Sequence, residues 1–406
     1  MRMTLNTKPL TFLAAAAVAF FTCYSPAQNE KEIAGVNLEE LHNAGYRINW
    51  INQSPTDGLH LPTIQDNSFY TVDKSDFVSK YNIKSGNWLW SSPVGNQTYK
   101  IKSITEIPDL KRTYVLSEGD IYVLESNTGN YPSSDNKNNK NNDQYFKLRE
   151  TANSSTATYN NKMVYGSTTG NAVWFDPEIG FTSSTYSVGS TINVPPVLVT
   201  GIRSKDGLIR NAIIASSTDG TVTAIDAKDV RQVWSIKLLD AVSAPISSGT
   251  NPKLNGSEDV PRTSVFIAGN DHYLRSVDLH SGKPRWRVLT QSSLVDSPFV
   301  FGDTVFQKIP SIGLAAYDAF PNDFSGQQNW LAEDVTGTPI TTTNTGKLVC
   351  WDEQLRVLQI VDTRKGGIIN TVRFPLAKYI VTDNTTNGSL FLITDNDTIL
   401  RLDSRR

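Results

Sequence analysis

From Tyr46 onward, short apolar runs of four to seven residues alternate with clusters of Gly, Asn, Asp, Ser and Pro. This is the pattern of strands joined by turns. Eight of the runs end in an acidic or amide residue that enters a turn: Asn82, Glu125, Asp176, Asp226, Asp278, Asp318, Asp362 and Asp403. These positions recur at intervals of 40 to 52 residues, with three or four strands in each interval. A period of that size predicts the blades of a β-propeller. A Gly stands four residues beyond the acidic position at Gly86, Gly129, Gly180, Gly282 and Gly366. There it supplies a positive φ for a turn between strands, while the acidic or amide side chain accepts backbone N–H bonds.

In three units a Trp follows eight positions after the turn residue, pairing Asn82 with Trp90, Asp226 with Trp234 and Asp278 with Trp286. The spacing predicts that this Trp lies on the outer strand and folds back between blades, where its large flat surface is buried. These six residues are the expected blade-docking set. The last unit holds only three strands, 379–382, 389–393 and 398–402, whereas Tyr46–Ile51 is an orphan strand ahead of the first full unit. Its Trp50 fits the docking place. The orphan strand therefore completes the last blade, and closure of the ring removes exposed sheet edges. The expected fold is an all-β, eight-bladed propeller of four-stranded antiparallel blades spanning 46–406, with the chain ends close together.

The segment before the repeat reads differently. Arg2 and Lys8 precede an apolar run from Thr11 to Phe21, too short to span a bilayer and of the form of a secretory signal. Cleavage after Ala27 gives a signal peptide of residues 1–27; the alternative is a lipoprotein signal ending at residue 22, with Cys23 as the lipidated residue. The mature chain is then exported, either periplasmic or outer-membrane-associated, or secreted. Residues 28–45 read as a tether to Val36 and one short helix, with Asn37 as its cap and Gly45 at its end. No later segment suggests a transmembrane span.

Charge and cysteine content narrow the function classes. The chain of 406 residues carries 19% charged residues and a net charge of −2, which becomes −4 when Arg2 and Lys8 leave with residues 1–27. A nucleic-acid binder would show a basic footprint. Cys350, the only cysteine besides Cys23, lies in an apolar strand and reads as a buried, inert thiol.

Residue patterns for catalytic or metal chemistry are sparse. His42, His60, His272 and His280 show no metal-ligand spacing. Asp135–Asp143 carries Lys137 where a calcium loop needs an oxygen ligand and lacks the loop's Gly. No phosphate-binding Gly-rich loop or nucleophile elbow appears. No catalytic, cofactor-binding or metal-binding residue is therefore assigned, and no cofactor is expected. Trp88 and Trp174 fall outside the docking position and are the candidates for an exposed aromatic surface. The insertions at 132–143 and 251–261 are the other candidates for binding function, as loops on a rigid rim.

The unit Asp-x-x-x-Gly-x-x-x-Trp, best seen from Asp278 to Trp286, resembles the PQQ-like repeat of the quinoprotein-dehydrogenase-like propellers. The resemblance runs from about residue 47 to 403. It implies either of two outcomes. The enzymes of that family bind pyrroloquinoline quinone and calcium in a central funnel beside a ring of adjacent cysteines, which this chain lacks. A non-enzymatic branch, including the eight-bladed lipoprotein of the outer-membrane β-barrel assembly machinery, works by binding protein partners. The expected function is accordingly a monomeric, non-catalytic scaffold with protein partners in the bacterial envelope, including outer-membrane assembly. The alternatives are a carbohydrate- or ligand-sensing propeller and a PQQ-dependent dehydrogenase.

Overall fold

Strands of three to eight residues, too short to form a core alone, are stacked face to face in the computed structural model. It describes residues 32–95, 98–132, 144–203, 209–251, 263–321 and 325–405. Eight four-stranded antiparallel sheets follow one another along the chain as blades one to eight. Blade one runs from His60–Gln65 to Trp88–Pro93, and blade seven from Thr338–Thr342 to Ile368–Arg373. The first strands of successive blades approach one another and so form the inner ring. Blade eight takes three strands from the C-terminal end, and Tyr46–Gln53 supplies its fourth by pairing with Thr398–Ser404. The N-terminal strand therefore closes the ring.

The core is divided among the seams. Eight apolar clusters each join two neighbouring blades, such as Val265 and Ile267 of blade five against Ala212 and Ile214 of blade four. The middle strands are therefore covered on both faces and read as continuous apolar runs: Ser68–Val72 and Leu348–Asp352 are buried throughout. Outer strands alternate instead, as in Gln232–Lys237, because one face meets solvent.

A recurrent bulge shapes those outer strands. In seven blades the register slips by one residue just before the docking position, leaving Asn49, Leu89, Ser183, Val233, Arg285, Asn329 and Ile369 as the extra residues. A bulge re-aims the side chains on either side of it. The bulge at Leu89 gives Trp88 and Trp90 different surroundings although they stand two residues apart. Trp88 is 48% exposed and Trp90 only 5%.

Ahead of the ring the described residues begin at Glu32. Glu32–Ile33 pairs with Val36–Asn37, and Val36 is buried. The helix spans Leu38–Asn43; Asn37 Oδ1 accepts the N–H groups of Glu39 at 3.0 Å and Glu40 at 3.2 Å, and Gly45 follows at φ +82°. Its Leu41 enters the seam between blades seven and eight. Asn37→Ala is expected to destabilise this helix by about 1 kcal/mol. Faster amide exchange confined to residues 38–46 would register that loss.

Candidate functional site

The repeated acidic turn is built by local hydrogen bonding. Asn82 Oδ1 accepts from the N–H groups of Lys84 and Ser85, both at 3.0 Å, and Asp226 Oδ1 from those of Lys228 at 2.9 Å and Asp229 at 2.8 Å. Asp278 Oδ1 accepts from His280 at 3.1 Å and Ser281 at 2.8 Å. The glycine then donates its N–H back to the acidic residue's carbonyl, at 2.8 Å for both Gly86 and Gly282. Burial raises the pKa of Asp278, but hydrogen bonds from Arg285 and Ser281 outweigh it and hold the carboxyl below its usual range. Asp362 is drawn down to about 2, chiefly by its bond from Lys347.

Each docking tryptophan meets the turn of the next blade. Trp90 Nε1 donates to Ser126 O at 3.0 Å, Trp234 to Leu279 O at 2.7 Å and Trp286 to Ala319 O at 3.2 Å. Trp50 does the same across the closure, donating to Ile83 O at 3.1 Å. In every case the acceptor is the residue directly after the acidic position. The ring covers the turn glycine: a Cβ on Gly86 would stand 2.5 Å from Trp50, and one on Gly282 2.7 Å from Trp234.

Two docking residues escape the sequence pattern. Trp330 donates to Thr363 O at 3.1 Å, yet it stands twelve residues after Asp318 because the turn before it is longer. Phe146 takes the place in blade two, its ring against Gly180, but an insertion separates it from Glu125. In blade seven the position is held by Asn370, whose amide donates to Asn43 O at 2.8 Å. The N-terminal helix thus occupies the seam where others carry a tryptophan. Asp403 lies within the last strand, Thr398–Ser404, and accepts from Arg401 Nε at 2.7 Å rather than opening a turn.

Trp174, expected as a surface candidate, is 1% exposed in the seam between blades three and four. It lies on a middle strand, where both faces are covered. The insertions at 132–143 and 251–261 lie outside the described residues except for Pro132 and Asn251, as does Cys23. Cys350 is fully buried, and burial pushes its thiol pKa up.

The ring presents two faces. One carries the acidic turns; the other carries the turns between second and third strands together with the connectors from blade to blade. On this connector face Leu239, Leu289, Val295 and Leu355 are 52–85% exposed. A cleft of about 840 Å³ opens there between blades six and seven. A second, polar cleft of about 590 Å³ on blade eight is bordered by Arg47, Arg401 and Arg405. Among the described residues, no group of three His, Cys, Asp or Glu side chains could hold a metal ion. The described residues thus offer no such cluster for the calcium of a calcium–quinone centre, and Cys23 and Cys350 are too distant in sequence to form a ring of adjacent cysteines.

Repeating acidic turns, docking rings and a strand-closed circle of eight blades define a PQQ-like β-propeller. The family described as outer membrane protein assembly factor BamB matches residues 168–406, more than half the chain, and the protein belongs to that family. The crystal structure of BamB from Moraxella catarrhalis superposes with a TM-score of 0.63 at 15% identity, covering 88% of this chain and 97% of that one. A computationally designed protein, Ika8, superposes with a TM-score of 0.62 at 12% identity, covering 86% and 98%. At these identities the likeness is one of fold. No curated protein matches in sequence.

Proposed function

We propose that this chain is an exported, non-catalytic scaffold that acts as a monomer in the bacterial envelope and binds protein partners during outer-membrane protein assembly. The observation that carries this reading is the family match over residues 168–406. The architecture supports it physically. A closed ring with a core in every seam holds its surface turns rigidly, and rigid turns lose little entropy on binding. In this reading residues 1–27 are a signal peptide, or residues 1–22 are removed and Cys23 carries lipid; the mass of the mature N-terminus distinguishes the two.

Photo-crosslinking in native envelopes tests the scaffold role. A benzophenone amino acid is placed at Leu355 on the connector face or at Ile179 on the acidic-turn face, both exposed. At least one position is expected to yield a discrete adduct containing an outer-membrane assembly protein. Recovery of only abundant bystanders from both positions would contradict the proposal.

A further inference from the structure

We propose that the cleft between blades six and seven is a docking groove for an extended partner segment bearing basic and apolar side chains. The proposal rests on the scaffold reading above and names the chemistry of one partner site.

Apolar residues line part of the cleft: Ile312, Ile340 and Trp351, which is 8% exposed and whose ring packs on Phe374 in the seam between blades seven and eight. The rim continues that surface into solvent through Val295, 52% exposed, and Leu355, 64% exposed. Exposed apolar rims beside a buried aromatic residue are the composition of a protein-binding surface. The volume, about 840 Å³, is within the range of specific binding pockets.

The walls are acidic. Asp296, Glu333, Asp352 and Glu353 line the cleft against a single cation, Lys308. Thr338 donates to Asp296 at 3.1 Å, and the Leu355 N–H donates to Asp352 at 2.8 Å, so two of the carboxylates are fixed in place. Among the described residues, Glu333 and Glu353 take part in no hydrogen bond or ion pair. Lys308 is committed to Val335 O at 3.0 Å, and burial lowers its pKa. The carboxylates are not grouped to hold a metal ion. They complement positive charge spread along a segment instead. An extended strand turns alternate side chains to opposite sides, so one set can meet the apolar lining while the other meets the acids.

The test uses the purified chain and a fluorescein-labelled peptide of alternating Lys and Val, read by fluorescence anisotropy. The peptide should bind, and its Glu–Val counterpart should not. E333K/E353K should weaken binding about tenfold, less so at high salt, and L355S should weaken it at all salt concentrations. All three positions are exposed, so folding is retained. D109K/E178K makes the same charge change on the opposite face and should leave affinity unchanged. Equal affinity of wild type and E333K/E353K, equal binding of the Glu–Val peptide, or equal weakening by D109K/E178K would each overturn the groove. Because the titration needs no envelope partner, its failure is separable from failure of the scaffold role, which the crosslinking decides.

Discussion

Trp286→Ala lowers the stability of the ring by about 3–5 kcal/mol. The indole is 2% exposed in the seam between blades five and six, stacked 6.3 Å from Tyr317 and tilted 5.9 Å from Phe266. Its removal leaves a cavity between two sheets whose hydrogen-bonded strands cannot collapse into it. It also strands the Ala319 carbonyl, which accepts the indole N–H at 3.2 Å. Trp286→Phe restores part of the ring surface without the hydrogen bond, so its loss should be intermediate. Trp88→Ala is the matched control: that ring is 48% exposed, and its loss should stay within about 0.5 kcal/mol. Guanidinium denaturation midpoints of the three variants check the order.

Gly282→Ala is expected to cost about 2–5 kcal/mol, from two sources. At φ +68° an L-residue pays about 1–2 kcal/mol for the left-handed conformation. The new Cβ would then lie 2.7 Å from Trp234, whose ring is anchored by its 2.7 Å bond to Leu279 O. Displacing a packed ring costs about 1–3 kcal/mol more. Blade four separates the two contributions. Val230 occupies the same turn position at φ +53°, and the docking place facing it from blade three is Ser184. A side chain is tolerated there because no indole covers it. Gly282→Val should therefore be far more damaging than the native Val230 suggests, and thermal denaturation of the Ala and Val variants should rank them in that order.

The turn glycines were legible from their spacing, but only half of their reason was. Positive φ followed from the turn; the indole lying against Gly86 or Gly282 comes from the preceding blade, some 36 or 48 residues earlier in sequence. Ring closure was readable because Tyr46–Ile51 was left over and the last unit lacked one strand. Trp88 was legible as a surface candidate because it falls outside the docking position, but the bulge at Leu89 that sets it apart from Trp90 has no local sequence signature. Trp174 was misread because a middle strand of a blade is covered twice, which alternation alone does not reveal. Phe146 and Trp330 were hidden by insertions that break the spacing. The cleft was invisible for a different reason. Val295, Glu333 and Leu355 belong to connectors and turns outside the repeated motif, and only the stacking of blades six and seven brings them together.

The proposed role in outer-membrane assembly is tested most directly in cells from which this chain has been deleted. The quantity to measure is the amount of folded β-barrel protein in the outer membrane, read by the heat-dependent gel mobility of intact barrels. The account predicts a decrease that is restored by the full-length chain. Unchanged barrel levels in its absence, with the ring folded and exported normally in the parent cells, would contradict it.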